Sequence, residues 1–176
     1  MRVMDPEKDK RSSFVQCVLK DLSAACSTPN LAAKATVSAS SQESGNEAAK
    51  AIDGNAATAW KAASATDQWL QLDFTRPTAI NEFRIKEDAS SSVIRYKIEY
   101  WDAKDSRWAS CFNGRAIGSD FIAVIVSRTT QKVRLLVMKT NSGNPCISEF
   151  AVYNDTTGAV FNVPAGGVPP GQAGKR

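Results

Sequence analysis

Within the stretch Asp53-Gly54-Asn55-Ala56-Ala57-Thr58-Ala59-Trp60 the chain places a carboxylate, a flexible backbone position and a hydroxyl close together. A hard cation such as calcium takes roughly six to eight oxygens, several of them backbone carbonyls. Asp53 offers the carboxylate and Thr58 the hydroxyl. Gly54 lets the backbone turn tightly enough to face carbonyls inward. A metal-free turn capped by Asp53 would use the same residues. Enzymatic chemistry has far less to work with. The chain contains no histidine, which removes Ser-His-Asp and Cys-His nucleophiles and histidine metal sites. A carboxylate or lysine would have to serve as general base, and no such pair is isolated by the sequence. The reading is a protein that is not an enzyme. The four cysteines, Cys17, Cys26, Cys111 and Cys146, contain no Cys-x-x-Cys pair, so a zinc or redox motif is not indicated. Buried thiols and disulfides both remain open.

The elements that would hold these groups read as short strands. In residues 69–74, Leu70, Leu72 and Phe74 share a face opposite Trp69, Gln71 and Asp73. Residues 80–86 set Asn81, Phe83 and Ile85 against Glu82, Arg84 and Lys86. Residues 93–100 set Ile94, Tyr96, Ile98 and Tyr100 against Arg95, Lys97 and Glu99. Further strands are expected at 121–126, 132–138 and 147–153, with one helical turn at 47–52. Trp60 and Trp69 are read first as core residues, the commoner place for a tryptophan. Many short strands joined by polar turns indicate an all-β, antiparallel sandwich over residues 30–154.

The ends differ from this middle. In residues 1–29, Phe14, Val15, Val18, Leu19 and Leu22 recur at helical spacing, which predicts an N-terminal helical extension. Residues 155–176 are Pro/Gly-rich and predict a flexible or extended tail. Both ends are candidate contacts for other protein subunits. A net charge of +4 without a long basic run argues against nucleic acid as a partner. The first residues lack the apolar core of a signal peptide.

Three segments then carry a family resemblance. They are Asn30-Leu31-Ala32 leading to Val37-Ser38-Ala39-Ser40-Ser41; Ala48-Ala49-Lys50-Ala51-Ile52-Asp53-Gly54 through Trp60 and on to Trp69-Leu70-Gln71-Leu72-Asp73-Phe74; and Ile147-Ser148-Glu149-Phe150-Ala151-Val152-Tyr153. With Tyr96-Lys97-Ile98-Glu99-Tyr100 and Lys132-Val133-Arg134-Leu135 between them, their order resembles the coagulation factor 5/8 type C, or discoidin, domain, and within it the family 32 carbohydrate-binding modules. The resemblance implies a galactose-binding-domain-like jelly-roll sandwich that binds a glycan or glycoprotein through loops at one end. It implies a structural calcium ion held by the Lys50 carbonyl, Asp53, the Asn55 carbonyl, Thr58, the Ser148 carbonyl and Glu149. It also implies an extracellular or cell-surface setting, although a virion or intracellular component fits the missing signal-peptide pattern.

The same resemblance places ligand groups at Lys61 and Asp67, Glu87 and Asp88, Arg95, and Asn141, Asn144 and Pro145. Of these, Lys61, Glu87, Arg95, Asn141 and Asn144 are the candidate binding residues, with Glu87 and Arg95 the best polar pair. Galactose-binding relatives often supply a histidine after the calcium loop, and this chain has none. An aromatic platform near 141–145 is also missing. Loop tips such as 62–66 and 88–92 are small and polar, so membrane lipid is not an expected ligand. Two readings follow. The first is a non-catalytic carbohydrate-binding module or lectin. The second is a structural, assembly or adhesion protein that uses the sandwich for protein contacts.

Overall fold

The computed structural model describes residues 28–90 and 92–156. The expected N-terminal helix and nearly all of the Pro/Gly-rich tail lie outside the described residues. The described residues form strands β1 (Thr36–Ala39), β2 (Trp60–Lys61), β3 (Gln68–Glu87), β4 (Ser92–Asp102), β5 (Arg107–Gly114), β6 (Phe121–Ser142) and β7 (Cys146–Tyr153). Single 3-10 turns at Leu31–Lys34 and Ala48–Ala51 stand before and after β1.

All pairings are antiparallel. Two long strands, β3 and β6, make the sandwich, because each runs through both layers. Gln68 to Asp73 of β3 pairs with β1 and with Val137 to Lys132 of β6. After a register break, Thr78 to Ile85 pairs with Thr130 to Phe121 of β6, and Glu82 to Glu87 pairs with β7. The break falls between Asp73 and Thr78, around Pro77, which has no N–H to donate to a ladder. One layer is therefore β1, the first half of β3, the second half of β6, β4 and β5. The other is β2, β7, the second half of β3 and the first half of β6.

Between the layers lie Leu70, Leu72, Ile80, Phe83, Ile85, Tyr96, Ile98, Val133, Leu135, Val137, Ile147, Phe150 and Val152, all at most 1% exposed. Phe83 stacks on Phe150 at 6.2 Å. Tyr96 meets Phe121 edge-on at 5.6 Å, which joins the two layers at the end where β4 and β6 begin. The Tyr96 ring lies over Gly114, where a Cβ would collide with it.

Several expectations change. Residues 69–74 and 80–86 are halves of one strand, as are 121–126 and 132–138, because bulged backbone carries the ladder across the corner. Glu82 is buried, 1% exposed, although its period placed it on a solvent face. Its carboxylate takes the Arg84 Nε at 2.5 Å, and Arg84 lies 4.7 Å over the Tyr153 ring, so the charge is covered and paired. Asn81 is only half-buried and exchanges hydrogen bonds with the Asp155 backbone at 2.6 and 2.7 Å. Trp60 is fully buried, as expected. Trp69 is half-buried, outside the core, because it alternates with Leu70 and Leu72. Cys111 and Cys146 are thiols and form no disulfide. Burial pushes the Cys111 thiol up to about 11.

Candidate functional site

Strand directions gather five connections at one end of the sandwich: residues 40–47, 62–67, 88–90, 115–120 and 143–145. The core holds these loops from beneath. Trp60 donates its indole N–H to the Ser41 carbonyl at 3.0 Å. The Ser40 and Ser41 hydroxyls both bond the Gln68 side chain. Ala62 N–H bonds the Pro145 carbonyl at 2.9 Å.

On this end a polar cluster forms from two loops and the end of β2. Lys61 Nζ lies 2.9 Å from Glu43 Oε2, and Asn144 Nδ2 donates to Glu43 Oε1 at 3.3 Å. The Lys61 ammonium, with help from Asn144, holds the Glu43 carboxyl below the usual range, and Glu43 raises Lys61 in return. Glu43 was not evident from the sequence. Its partner is far along the chain, and only the β2–β7 pairing brings Lys61 and Asn144 to it. Glu87 has a different task. Its carboxylate accepts the backbone N–H of Val93 at 2.6 Å and of Gly118 at 3.1 Å, which ties the start of β4 and the 115–120 loop to β3. Asp88 lies beside it, with its N–H on the Cys146 carbonyl. Asp67 is exposed and takes a left-handed backbone at φ 53°. Asn141 is exposed at the end of β6. Glu87 and Arg95 do not bridge each other, since Arg95 makes no ion pair among the described residues. Arg95 instead lines an open groove of about 670 Å³ with Lys97, Asn113, Arg115, Met138 and Lys139.

The Asp53 loop sits on the flank, against the middle of β7. Gly54 turns at φ 73°, a left-handed conformation that favours glycine. Asp53 Oδ1 accepts the Asn55 N–H at 2.8 Å, and Thr58 Oγ1 lies 2.8 Å from Asp53 Oδ2 and 2.9 Å from the Asn55 carbonyl. A hydroxyl has one proton, so one of these contacts at a time is a hydrogen bond. Glu149 comes from β7. Burial and then the Asp53 charge raise its carboxyl above the ordinary value, while Lys86 and Asn30 Nδ2, at 3.4 Å, oppose the shift. Ser148 is the extra residue of a bulge, since Lys86 pairs with Glu149 and Glu87 with Ile147. That bulge turns its backbone out of the ladder. The 3-10 turn bonds Lys50 N–H to the Glu47 carbonyl and Ile52 N–H to the Ala49 carbonyl, using neither lone pair of the Lys50 carbonyl. Two carboxylates held together among neutral oxygens suit a hard cation. The described residues hold no group of three or more His, Cys, Asp or Glu side chains, so any cation here would rest mostly on carbonyl and hydroxyl oxygen.

The family model for the F5/8 type C domain matches residues 36–150. The chain belongs to the F5/8 type C domain family. No curated protein matches this chain in sequence. Solved structures do. A chitosan-binding module 2 from a chitosanase/glucanase of Paenibacillus sp. IK-5, in complex with chitotriose, is 25% identical, with a TM-score of 0.63 over 71% of this chain and 100% of its own. The family 32 carbohydrate-binding module of C. perfringens NanJ, in complex with galactose, shares the fold at 20% identity and TM-score 0.65, over 72% of this chain and 98% of its own. A GH29 fucosidase of Ruminococcus gnavus aligns at 24% identity and TM-score 0.66 over 73% of this chain, yet only 27% of the fucosidase is covered. The matched enzymes extend far beyond the shared domain.

Proposed function

We propose that this F5/8 type C domain is a non-catalytic carbohydrate-binding module. It grips glycans at the loop end of the sandwich, with the Asp53–Glu149 flank stapled by calcium. The observation that carries the reading is the Lys61–Glu43–Asn144 cluster. The end of β2 and two loops from distant parts of the chain present an ammonium, a carboxylate and an amide side by side, which are the groups that bond sugar hydroxyls. The likeness to a chitosan-binding module supports it. On the flank, calcium would be held by Asp53, Glu149, Thr58 and the carbonyls of Lys50, Asn55 and Ser148. It would neutralise the two facing carboxylates and join the 53–58 loop to β7. A glycan array probed with and without calcium tests the reading. Binding that weakens when Lys61 or Asn144 is replaced is expected, and silence on every glycan overturns it.

A second reading, protein assembly, draws on one feature. Ile122, Val124 and Val126 are 40%, 58% and 74% exposed. They alternate along the first half of β6, which has a partner on one side only among the described residues. Light scattering that shows a stable oligomer, lost on replacing Val124 and Val126 by Thr, would favour this reading.

A further inference from the structure

The loop cluster leaves one charged feature of the molecule unused. Arg95 and Lys97 on β4, Arg115 just beyond β5 and Lys139 on β6 line the same open groove, beside Asn113 and Met138, and no carboxylate lines it. Several other cations meet carboxylates: Arg84 with Glu82, Arg107 with Asp105, Lys132 with Asp73, Arg134 with Glu99. Among the described residues the four groove cations have no such partner. Arg95 and Lys139 face each other across the β4–β6 ladder, and Lys97 faces Asn113 across the β4–β5 ladder.

We propose that this groove binds acidic polysaccharide, with Arg95, Lys97, Arg115 and Lys139 taking its sulfate or carboxylate groups and Asn113 a sugar hydroxyl. The inference rests on the glycan-binding reading and names the class of glycan. Neutral sugars usually need an aromatic face to stack on. The groove's one aromatic residue, Tyr96, is 1% exposed with its ring over Gly114, so charge is the attraction available. Guanidinium forks match carboxylate and sulfate oxygens two at a time. Three neighbouring strands spread the cations over about 10 Å, wide enough to meet more than one acidic group of a chain. Asn113 Oδ1 lies 3.2 Å from the Ser110 hydroxyl, which leaves its amide protons for a ligand. Single-stranded nucleic acid would bring the same charge but relies on stacked aromatics, which the groove does not present.

Titration calorimetry on the full chain tests this, with a heparin-type sulfated oligosaccharide, an oligogalacturonide, chitotriose, galactose, polyglutamate and single-stranded DNA as probes. One or both acidic oligosaccharides should bind, and more weakly as salt rises. The exposed pair R115Q/K139Q should weaken that binding about tenfold or more. The pair K34Q/K104Q removes the same charge at exposed positions near the opposite end and should leave it intact. Equal losses in both variants, or polyglutamate or DNA binding as tightly as the acidic sugars, overturn the proposal. If chitotriose or galactose binds and neither acidic sugar does, the groove assignment falls and the carbohydrate-binding reading stands. If no glycan binds, both fall.

Discussion

Two polar clusters on this sandwich handle charge in opposite ways. At the loop end, Glu43 is met by Lys61 and Asn144, and each partner holds the other in its charged form. On the flank, burial and then the Asp53 charge push Glu149 towards its neutral form. Both clusters join residues from distant parts of the sequence, and both lean on β2 and β7. The first is complete with protein groups alone. The second brings two like charges within reach of each other, and like charges are where an added cation would do most. The difference separates an ion pair that is neutralised from a carboxylate that is not.

Trp60 lies between the two clusters, so replacing it should disturb both. Trp60→Ala removes a fully buried indole and its bond to Ser41; a loss of about 3–5 kcal/mol in chemical denaturation is expected. Calcium should act on the flank alone. At about 100-fold over its Kd it should add about 2–3 kcal/mol of stability at neutral pH, seen as a higher Tm that Asp53→Asn abolishes. An unchanged Tm would remove the contrast between the clusters. Tyr96 offers a third case: its buried hydroxyl has no hydrogen-bond partner among the described residues. Tyr96→Phe should raise stability by up to about 1 kcal/mol; a clear loss in urea melts would mean the hydroxyl is bonded.

The pH dependence sharpens the flank further. The folded protein holds the Glu149 proton more tightly than the unfolded chain does, because burial and Asp53 raise its carboxyl. Its contribution is therefore present in acid and lost as pH rises through the folded value. Calcium held at Glu149 would compete with that proton, so its effect on Tm should shrink on acidification. Glu149→Gln should flatten both responses. The smallest effect belongs to the loop end. Lys61→Gln removes an exposed ion pair, which contributes little to stability, so the Tm should barely move while glycan affinity falls.

The Asp53–Trp60 loop and the β7 segment were legible because their residue types and order repeat a family pattern within short stretches. The alternation of Leu70, Leu72 and Phe74 gave the first half of β3. Its continuation past Pro77 was hidden, since a bulged corner looks like a break in the period. Strand β5 was missed because it pairs with β4 alone and mixes half-buried with exposed residues. Glu82 reads as surface by period, and only the cover from Arg84 and Tyr153 makes it a core residue. Glu43 and the groove of four cations depend on partners that no local pattern ties to them. Arg95 was singled out, but its surroundings were assigned to Glu87, whose carboxylate instead holds backbone.

The sharing of β3 and β6 by both layers has a consequence for how the domain comes apart. Neither layer can detach without pulling two strands out of the other, so there is no natural line along which half of the sandwich could melt first. Unfolding should be a single cooperative event, with backbone amides of Leu70 and Ile85 exchanging at the same rate although they lie in different layers. A chain cut at the exposed corner, residues 75–77, would then keep its two pieces associated, and fold from them, through the ladders that each long strand leaves on both sides of the cut.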